Sequence, residues 1–201
     1  GYASFTGRAY VYINSMTGTD VPDVTMTGEG ANNYFGYSVS TAGDVNGDGY
    51  SDVLVGAYSY SSNTGRAYIY YGGTLMNNTA DVTMTGEAAS AFGYSVSTAG
   101  DVNGDGYSDI IVGAYLGASS NGKAYIYFGG VSMDNTADVT MTGTVAFGYF
   151  GISVSTAGDV NRDGYADVIV GATSTSLYTG NTYIFFGGAS MNNVSDLTMT
   201  G

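Results

Sequence analysis

The sequence contains no cysteine, no histidine and no tryptophan, and Pro22 is its single proline in 201 residues. Without cysteine and histidine there is no thiol chemistry, no imidazole general base and none of the usual zinc ligand sets. Any hydrolytic chemistry would fall to carboxylates and hydroxyls alone. Basic residues are scarce as well: four Lys and Arg stand against seventeen Asp and Glu, a net charge of −13. No basic patch can neutralise phosphates, so neither nucleic acid nor an anionic membrane surface is an expected partner. Long apolar runs are also missing. The longest candidates, such as "DIIVGAYLGA", are interrupted by glycine and fall well short of the roughly 18 residues of a membrane span, so no membrane insertion is expected.

What is present is repetition. "DVTMTG" begins at residues 23, 81 and 138, with "DLTMTG" at 196; "GRAYVYI" at 7 matches "GRAYIYY" at 65, "GKAYIYF" at 122 and "GNTYIFF" at 180. "SVSTAGDV" starts at 38, 95 and 153, so the period is 57 or 58 residues. Each period reads as four short strands. "FGYSVSTAG" alternates; "DVLVGA", "DIIVGA" and "DVIVGA" are the near-continuous β-branched runs of strands buried on both faces. "RAYIYYG" alternates aromatic and aliphatic residues, and "DVTMTG" puts Val82 and Met84 on one face with Thr83 and Thr85 on the other. Glycine clusters separate the strands, and no window carries a helical period of ten residues or more.

The chain is therefore expected to be all-β, with four-stranded antiparallel sheets as blades of a β-propeller. A membrane barrel would alternate lipid-facing and lumen-facing residues, which "DVLVGA" does not, and a β-solenoid would repeat at a shorter period. The copies are uneven, with three of the first two strands and four of the last two. Three and a half blades are predicted: a half-blade over 1–28 holding third and fourth strands, then blades over 29–86, 87–143 and 144–201. Together they make one propeller-type domain or part of one.

Between the first and second strands of each blade lies an acidic loop: "DVNGDGYSD" at 44–52 and 101–109, and "DVNRDGYAD" at 159–167. Carboxylates fall at positions 1, 5 and 9, which are Asp44, Asp48 and Asp52, then Asp101, Asp105 and Asp109, then Asp159, Asp163 and Asp167. Asn46, Asn103 and Asn161 supply an amide oxygen at position 3, and the carbonyls of Tyr50, Tyr107 and Tyr165 add a main-chain oxygen at position 7. Gly49, Gly106 and Gly164 at position 6 permit the sharp turn. Hard oxygen ligands on a flexible loop suit Ca2+ before zinc or magnesium, so three calcium sites are expected. An Asn-Gly or Asp-Gly hairpin turn would explain the glycines but not the outer aspartates. An EF-hand needs glutamate at the twelfth position, where Val55, Val112 and Val170 stand.

The unit "FGYSVSTAGDVNGDGYSDVLVGA" resembles the FG-GAP repeat of integrin α-subunit propellers and of many surface proteins. Phe35-Gly36, Phe92-Gly93 and Phe150-Gly151 form the first half of the motif, each nine residues ahead of the first aspartate of its loop. "VGAY" and "VGAT" keep the glycine and alanine of the second half and replace its proline. The resemblance covers essentially the whole chain. It implies a propeller with structural calcium clips on one face and extracellular binding or adhesion as its work.

That resemblance sets the expected function: a calcium-stabilised, non-catalytic module for binding or adhesion, outside the cell or at its surface. The composition agrees in its few lysines and many Thr, Ser, Asn, Gly and Tyr. A start at glycine, with neither methionine nor a signal-peptide pattern, fits a mature product or a fragment. A protein or a carbohydrate is the expected ligand class, with the variable segments "YSYSSNTG", "YLGASSNG" and "TSTSLYTG" as candidate binding loops. The alternative is a structural subunit of a filament or sheath. Three and a half blades cannot close alone, so a dimer, a head-to-tail filament or further blades of a longer chain should cover the open edges. Tyr10, Tyr12, Tyr68, Tyr70, Tyr125, Tyr127 and Tyr183 recur at alternate strand positions and are expected to pack between blades. Asn77 and Asn193 fit the glycosylation sequon.

Overall fold

The structure is a computed structural model that describes residues 6–13, 21–173 and 179–201. Its strands form one two-stranded and three four-stranded antiparallel sheets. β1 (Arg8–Val11) pairs with β2 (Val24–Thr27). The first complete blade is β3 (Ser38–Gly43), β4 (Asp52–Ala57), β5 (Arg66–Tyr70) and β6 (Val82–Thr85). The second is β7 (Ser95–Gly100), β8 (Asp109–Ala114), β9 (Lys123–Tyr127) and β10 (Val139–Thr142). The third is β11 (Ser153–Gly158), β12 (Asp167–Ala172), β13 (Asn181–Phe185) and β14 (Leu197–Thr200). Each is a meander in chain order, and β7 lies beside both β3 and β11, so the first strands line the inner edge of the stack. The four-stranded antiparallel sheets match the expected all-β class of propeller blades.

The core is three layers between sheets. One holds Met26, Phe35, Val55, Tyr68 and Tyr70; the next Leu54, Ile69, Met84, Phe92, Ile110 and Tyr127; the last Ile111, Ile126, Met141, Phe150, Val168 and Phe185. Every residue of β8 is buried, because this strand has a sheet on either side, as its unbroken apolar run requires. In β6, Val82 and Met84 face inward while Thr83 and Thr85 point away, following the period of two.

The two halves of the repeated motif meet across these layers. A Cβ on Gly56 or Gly113 would run into the carbonyl oxygen of Gly93 or Gly151 of the following blade, and Ser38 and Ser95 donate hydroxyl hydrogen bonds of 2.8 and 2.9 Å to those same carbonyls. The phenylalanine beside each such glycine sits edge-on to its own blade's third strand: Phe92 lies 5.4 Å from Tyr125 and 6.3 Å from Tyr127. It also covers the glycine that ends the blade before, since Gly86 has no room for a Cβ beside Phe92.

The tyrosine expectation holds where a blade covers each face. Tyr68, Tyr70, Tyr125 and Tyr127 are buried and Tyr183 is half-buried. Tyr10 and Tyr12 correct it, at 49% and 62% exposure, because no first and second strands stand beside β1 among the described residues. The variable segments contain two four-residue helical turns, α1 (Tyr60–Asn63) and α2 (Gly117–Ser120). Ser61, Ser62, Ala118 and Ser119 in them take left-handed backbone angles, a conformation that no amphipathic pattern signals.

Candidate metal centre

Each acidic loop joins the first strand of a blade to the second, so all three open at the same end of the stack. The strand pairing slips by one residue just before the loop, between Thr41 and Gly43, Thr98 and Gly100, and Thr156 and Gly158. This bulge turns the chain out of the sheet. Gly49 then takes φ of +87°, Gly106 +92° and Gly164 +94°, the left-handed geometry expected of position 6.

Main-chain amides order the carboxylates of the first loop. Asp44 Oδ1 accepts from the Gly47 and Asp48 N–H groups at 2.8 and 3.1 Å, and its Oδ2 accepts from Gly49 N–H at 2.9 Å. Asn46 Oδ1 accepts from Asp48 N–H at 3.0 Å while its Nδ2 donates to Asp48 Oδ2 at 3.0 Å, and Tyr50 N–H donates to Asp48 Oδ1 at 2.9 Å. The same bonds recur around Asp101, Asn103, Asp105 and Tyr107, and around Asp159, Asn161, Asp163 and Tyr165.

The ninth-position aspartates sit deeper. Asp52, Asp109 and Asp167 are buried at the start of their second strands. Asp52 takes the Val45 N–H at 2.9 Å and the Gly72 N–H at 2.8 Å, tying the loop to the turn after β5. Asp109 does the same with Val102 and Gly129, and Asp167 with Val160 and Gly187. Burial pushes the Asp109 carboxyl up to about 7 against these two N–H groups, with Asp105 and Asp101 adding to the rise. Asp52 is raised by burial in the same way.

Among the described residues no three Asp or Glu side chains converge into a preformed cage. The donor chemistry still fits a hard cation, as a mixed arc of carboxylates, an amide oxygen and a main-chain carbonyl within nine residues. A buried carboxylate drawn towards neutrality beside two others is the electrostatic condition that a bound cation relieves.

The loops are also joints between blades. The carbonyls of Asp44 and Val45 accept from Ser108 N–H at 3.0 Å and Gly130 N–H at 2.7 Å of the second blade. Asp101 and Val102 are held alike by Ala166 and Gly188 of the third, at 2.9 and 2.7 Å.

A family model for the FG-GAP repeat matches residues 35–70, 92–127 and 150–185, one span in each complete blade. The chain belongs to the FG-GAP repeat family. It is 34% identical over 194 residues to integrin alpha-5 of Xenopus laevis, covering 87% of this chain and 18% of that protein. With integrin alpha-6 of Homo sapiens it shares 35% identity over 162 residues, 78% of this chain and 14% of the relative. Integrin alpha-6 of Gallus gallus gives 38% over 161 residues, 75% and 14%. The chain thus spans less than a fifth of the length of these relatives.

At the opposite end of the FG-GAP blades runs a row of tyrosines that no strand pattern singled out. Ring centroids step from Tyr34 to Tyr58 at 5.3 Å, Tyr58 to Tyr37 at 4.7 Å, Tyr37 to Tyr94 at 5.0 Å, Tyr94 to Tyr115 at 4.5 Å and Tyr115 to Tyr149 at 5.8 Å. The Tyr37 hydroxyl donates to that of Tyr94 at 3.0 Å, a bond that raises the Tyr37 pKa ahead of any burial effect. The available signal was a tyrosine after Phe-Gly and another after Val-Gly-Ala in the first two blades, replaced by Ile152 and Thr173 in the third. The variable segments 58–65 and 115–122 lie at this end, and the third, 173–180, falls largely outside the described residues.

Proposed function

We propose that this FG-GAP chain is a calcium-stabilised, integrin-like propeller module that binds a protein ligand outside the cell or at its surface, without catalysis. The observation that carries the reading is the threefold acidic loop, with the carbonyls of the first two loops hydrogen-bonded to the next blade. Calcium would be held in the first loop by Asp44, Asn46, Asp48, the Tyr50 carbonyl and Asp52, and by their counterparts in the other two. It would supply positive charge to a cluster whose like charges otherwise repel by about 4 kcal/mol per pair at 4 Å and an effective dielectric near 20. Stiffening the loop stiffens the joint between blades, which is a structural role and asks for no open coordination position.

For the ligand, the tyrosine row is the favoured contact surface, since aromatic side chains combine large area with a polar tip and dominate protein interfaces. A carbohydrate stacked on the same rings is the alternative chemistry. Immobilised extracellular protein and glycan panels, probed with the chain in calcium and in chelator, test the reading. Binding should need calcium and fall at least tenfold in a Tyr58→Ser/Tyr94→Ser variant. Binding indifferent to both calcium and these tyrosines would overturn it.

A second reading, self-association into a dimer or filament, is favoured by the apolar edges at Tyr10, Tyr12, Leu197 and Met199. Native particle mass decides it: a monodisperse monomer contradicts assembly.

A further inference from the structure

Without cysteine the chain has no disulfide to tie one blade to the next, yet it carries twenty tyrosines. Two of them, on neighbouring blades, touch through their hydroxyls. Tyr37 leads into β3 of the first complete blade, and Tyr94, 57 residues on, leads into β7 of the second. Their ring centroids lie 5.0 Å apart with the planes at 42°, and the hydroxyl–hydroxyl distance is 3.0 Å. Tyr37 is 51% exposed and Tyr94 half-buried, so the pair can be reached from solvent. Oxidised phenols couple at the carbon beside the hydroxyl, which in tyrosine is Cε. Two hydroxyls in contact therefore bring the coupling carbons of the two rings together.

We propose that Tyr37 and Tyr94 form a site of oxidative modification, at which a haem peroxidase supplied with hydrogen peroxide joins them as dityrosine and staples the first complete blade to the second. Each phenol gives up one electron and its hydroxyl proton and becomes a phenoxyl radical. The two radicals pair to form a Cε–Cε bond. The hydrogen on each of those carbons then returns to its phenol oxygen as the rings regain aromaticity. The two electrons and two protons removed reduce one hydrogen peroxide to two waters. Contact within one molecule makes the coupling step unimolecular, whereas exposed tyrosines such as Tyr10 and Tyr12 on separate chains must collide. The buried strand tyrosines are poor substrates, since Tyr68 and Tyr125 lie edge-on to Phe35 and Phe92, which have no hydroxyl to oxidise. Tyr94 and Tyr115 are near as well, at 4.5 Å, but both belong to the second blade and a bond between them would join nothing new. The inference draws on ring geometry alone and on neither calcium nor a bound ligand, so its failure would leave the proposed function standing.

The test treats the full chain, at high dilution, with a haem peroxidase and an equimolar amount of hydrogen peroxide. The monomer should lose the mass of two hydrogens and gain dityrosine fluorescence. Trypsin cuts after Arg66, between the two tyrosines, so the product should join peptides 9–66 and 67–123, with fragment sequencing placing the bond at Tyr37 and Tyr94. Tyr37→Phe and Tyr94→Phe, each of which removes only a hydroxyl, should cut the joined product at least tenfold. Tyr12→Phe, at an exposed ring of the half-blade, should leave it unchanged. The joined chain should melt about 8 °C or more above the untreated one, as a cross-link closing a loop of this length does. Bonds between other rings, linkage only between chains, or oxygen added at methionine without loss of hydrogen would overturn the proposal. So would a yield that is the same in urea, where the rings are no longer held together.

Discussion

The ring of Tyr165 lies over Gly104 of the preceding loop, so close that a Cβ on Gly104 would stand 2.5 Å from the tyrosine Cε1. Gly104 also has φ of +79°, where a side chain is disfavoured by about 1–2 kcal/mol. Gly104→Arg, which copies the residue found in the third loop, should therefore lower the melting temperature by about 2–8 °C, given about 2–4 °C per kcal/mol for a chain of this size. The reverse change, Arg162→Gly, should be neutral or stabilising. Thermal melts followed by circular dichroism compare the two; equal effects would mean that the tyrosine contact has no weight.

Glycines of one sequence class should differ by position. Gly113→Ala places a methyl against the Gly151 carbonyl across a filled layer, and should cost about 1–3 kcal/mol as an overpacked core site does. Gly171→Ala, whose methyl would make only ordinary contact with Ser153 at 3.6 Å, should stay within about 0.5 kcal/mol of the parent. Urea unfolding of the two variants checks this.

Alkali should unfold the protein by ionising its buried tyrosines. Burial pushes the Tyr70 hydroxyl up to about 12, with Glu29 adding to the rise, and burial likewise raises Tyr68, Tyr125 and Tyr127. A phenol whose folded pKa exceeds its unfolded value, about 10, keeps its full contribution below pH 10 or so and loses it as pH rises through the folded value. The tyrosine contribution should be flat through neutrality and fall from about pH 10 to about pH 12. Phenolate absorbance should rise together with loss of the sheet signal; smooth titration of all tyrosines near pH 10 with the fold intact would contradict the burial.

The two sequons should behave differently in a glycosylating host. Asn77 is exposed and its Oδ1 accepts from Thr79 N–H at 2.7 Å within its own turn. Asn193 spends its Nδ2 on the Thr140 carbonyl of the second blade at 3.3 Å. Mass spectrometry should find Asn77 modified and Asn193 bare; the opposite pattern would contradict the interblade bond.

The strands, blades and acidic loops were legible because each depends on residues adjacent in sequence and repeated three times. Position 6 glycines and the period-two face of Val82 and Met84 are local facts. What was hidden depends on neighbours far along the chain. Tyr10 and Tyr68 occupy equivalent strand positions, yet Tyr10 lies open and Tyr68 is buried because, among the described residues, only the latter has a sheet on both sides. The Glu29–Arg66 and Glu87–Lys123 ion pairs, at 2.7 and 2.6 Å, become Thr144 and Asn181 in the third blade, a joint replacement that means nothing until the pairs are seen to meet. In sequence the ninth-position aspartates look like ligands equivalent to the others. Their burial, and their grip on Val45 and Gly72 or the equivalents, follows from the turn after the third strand, which no loop motif records.

Calcium titration of the chelator-stripped chain, by calorimetry and thermal melt together, tests the central claim most directly. Three sites should fill, one per acidic loop, and each held a hundredfold above its Kd should add about 2.7 kcal/mol of stability. Asp101→Ala should remove one site and leave two. A chain that takes up no calcium, and whose melting temperature is the same in chelator as in calcium, would contradict the account.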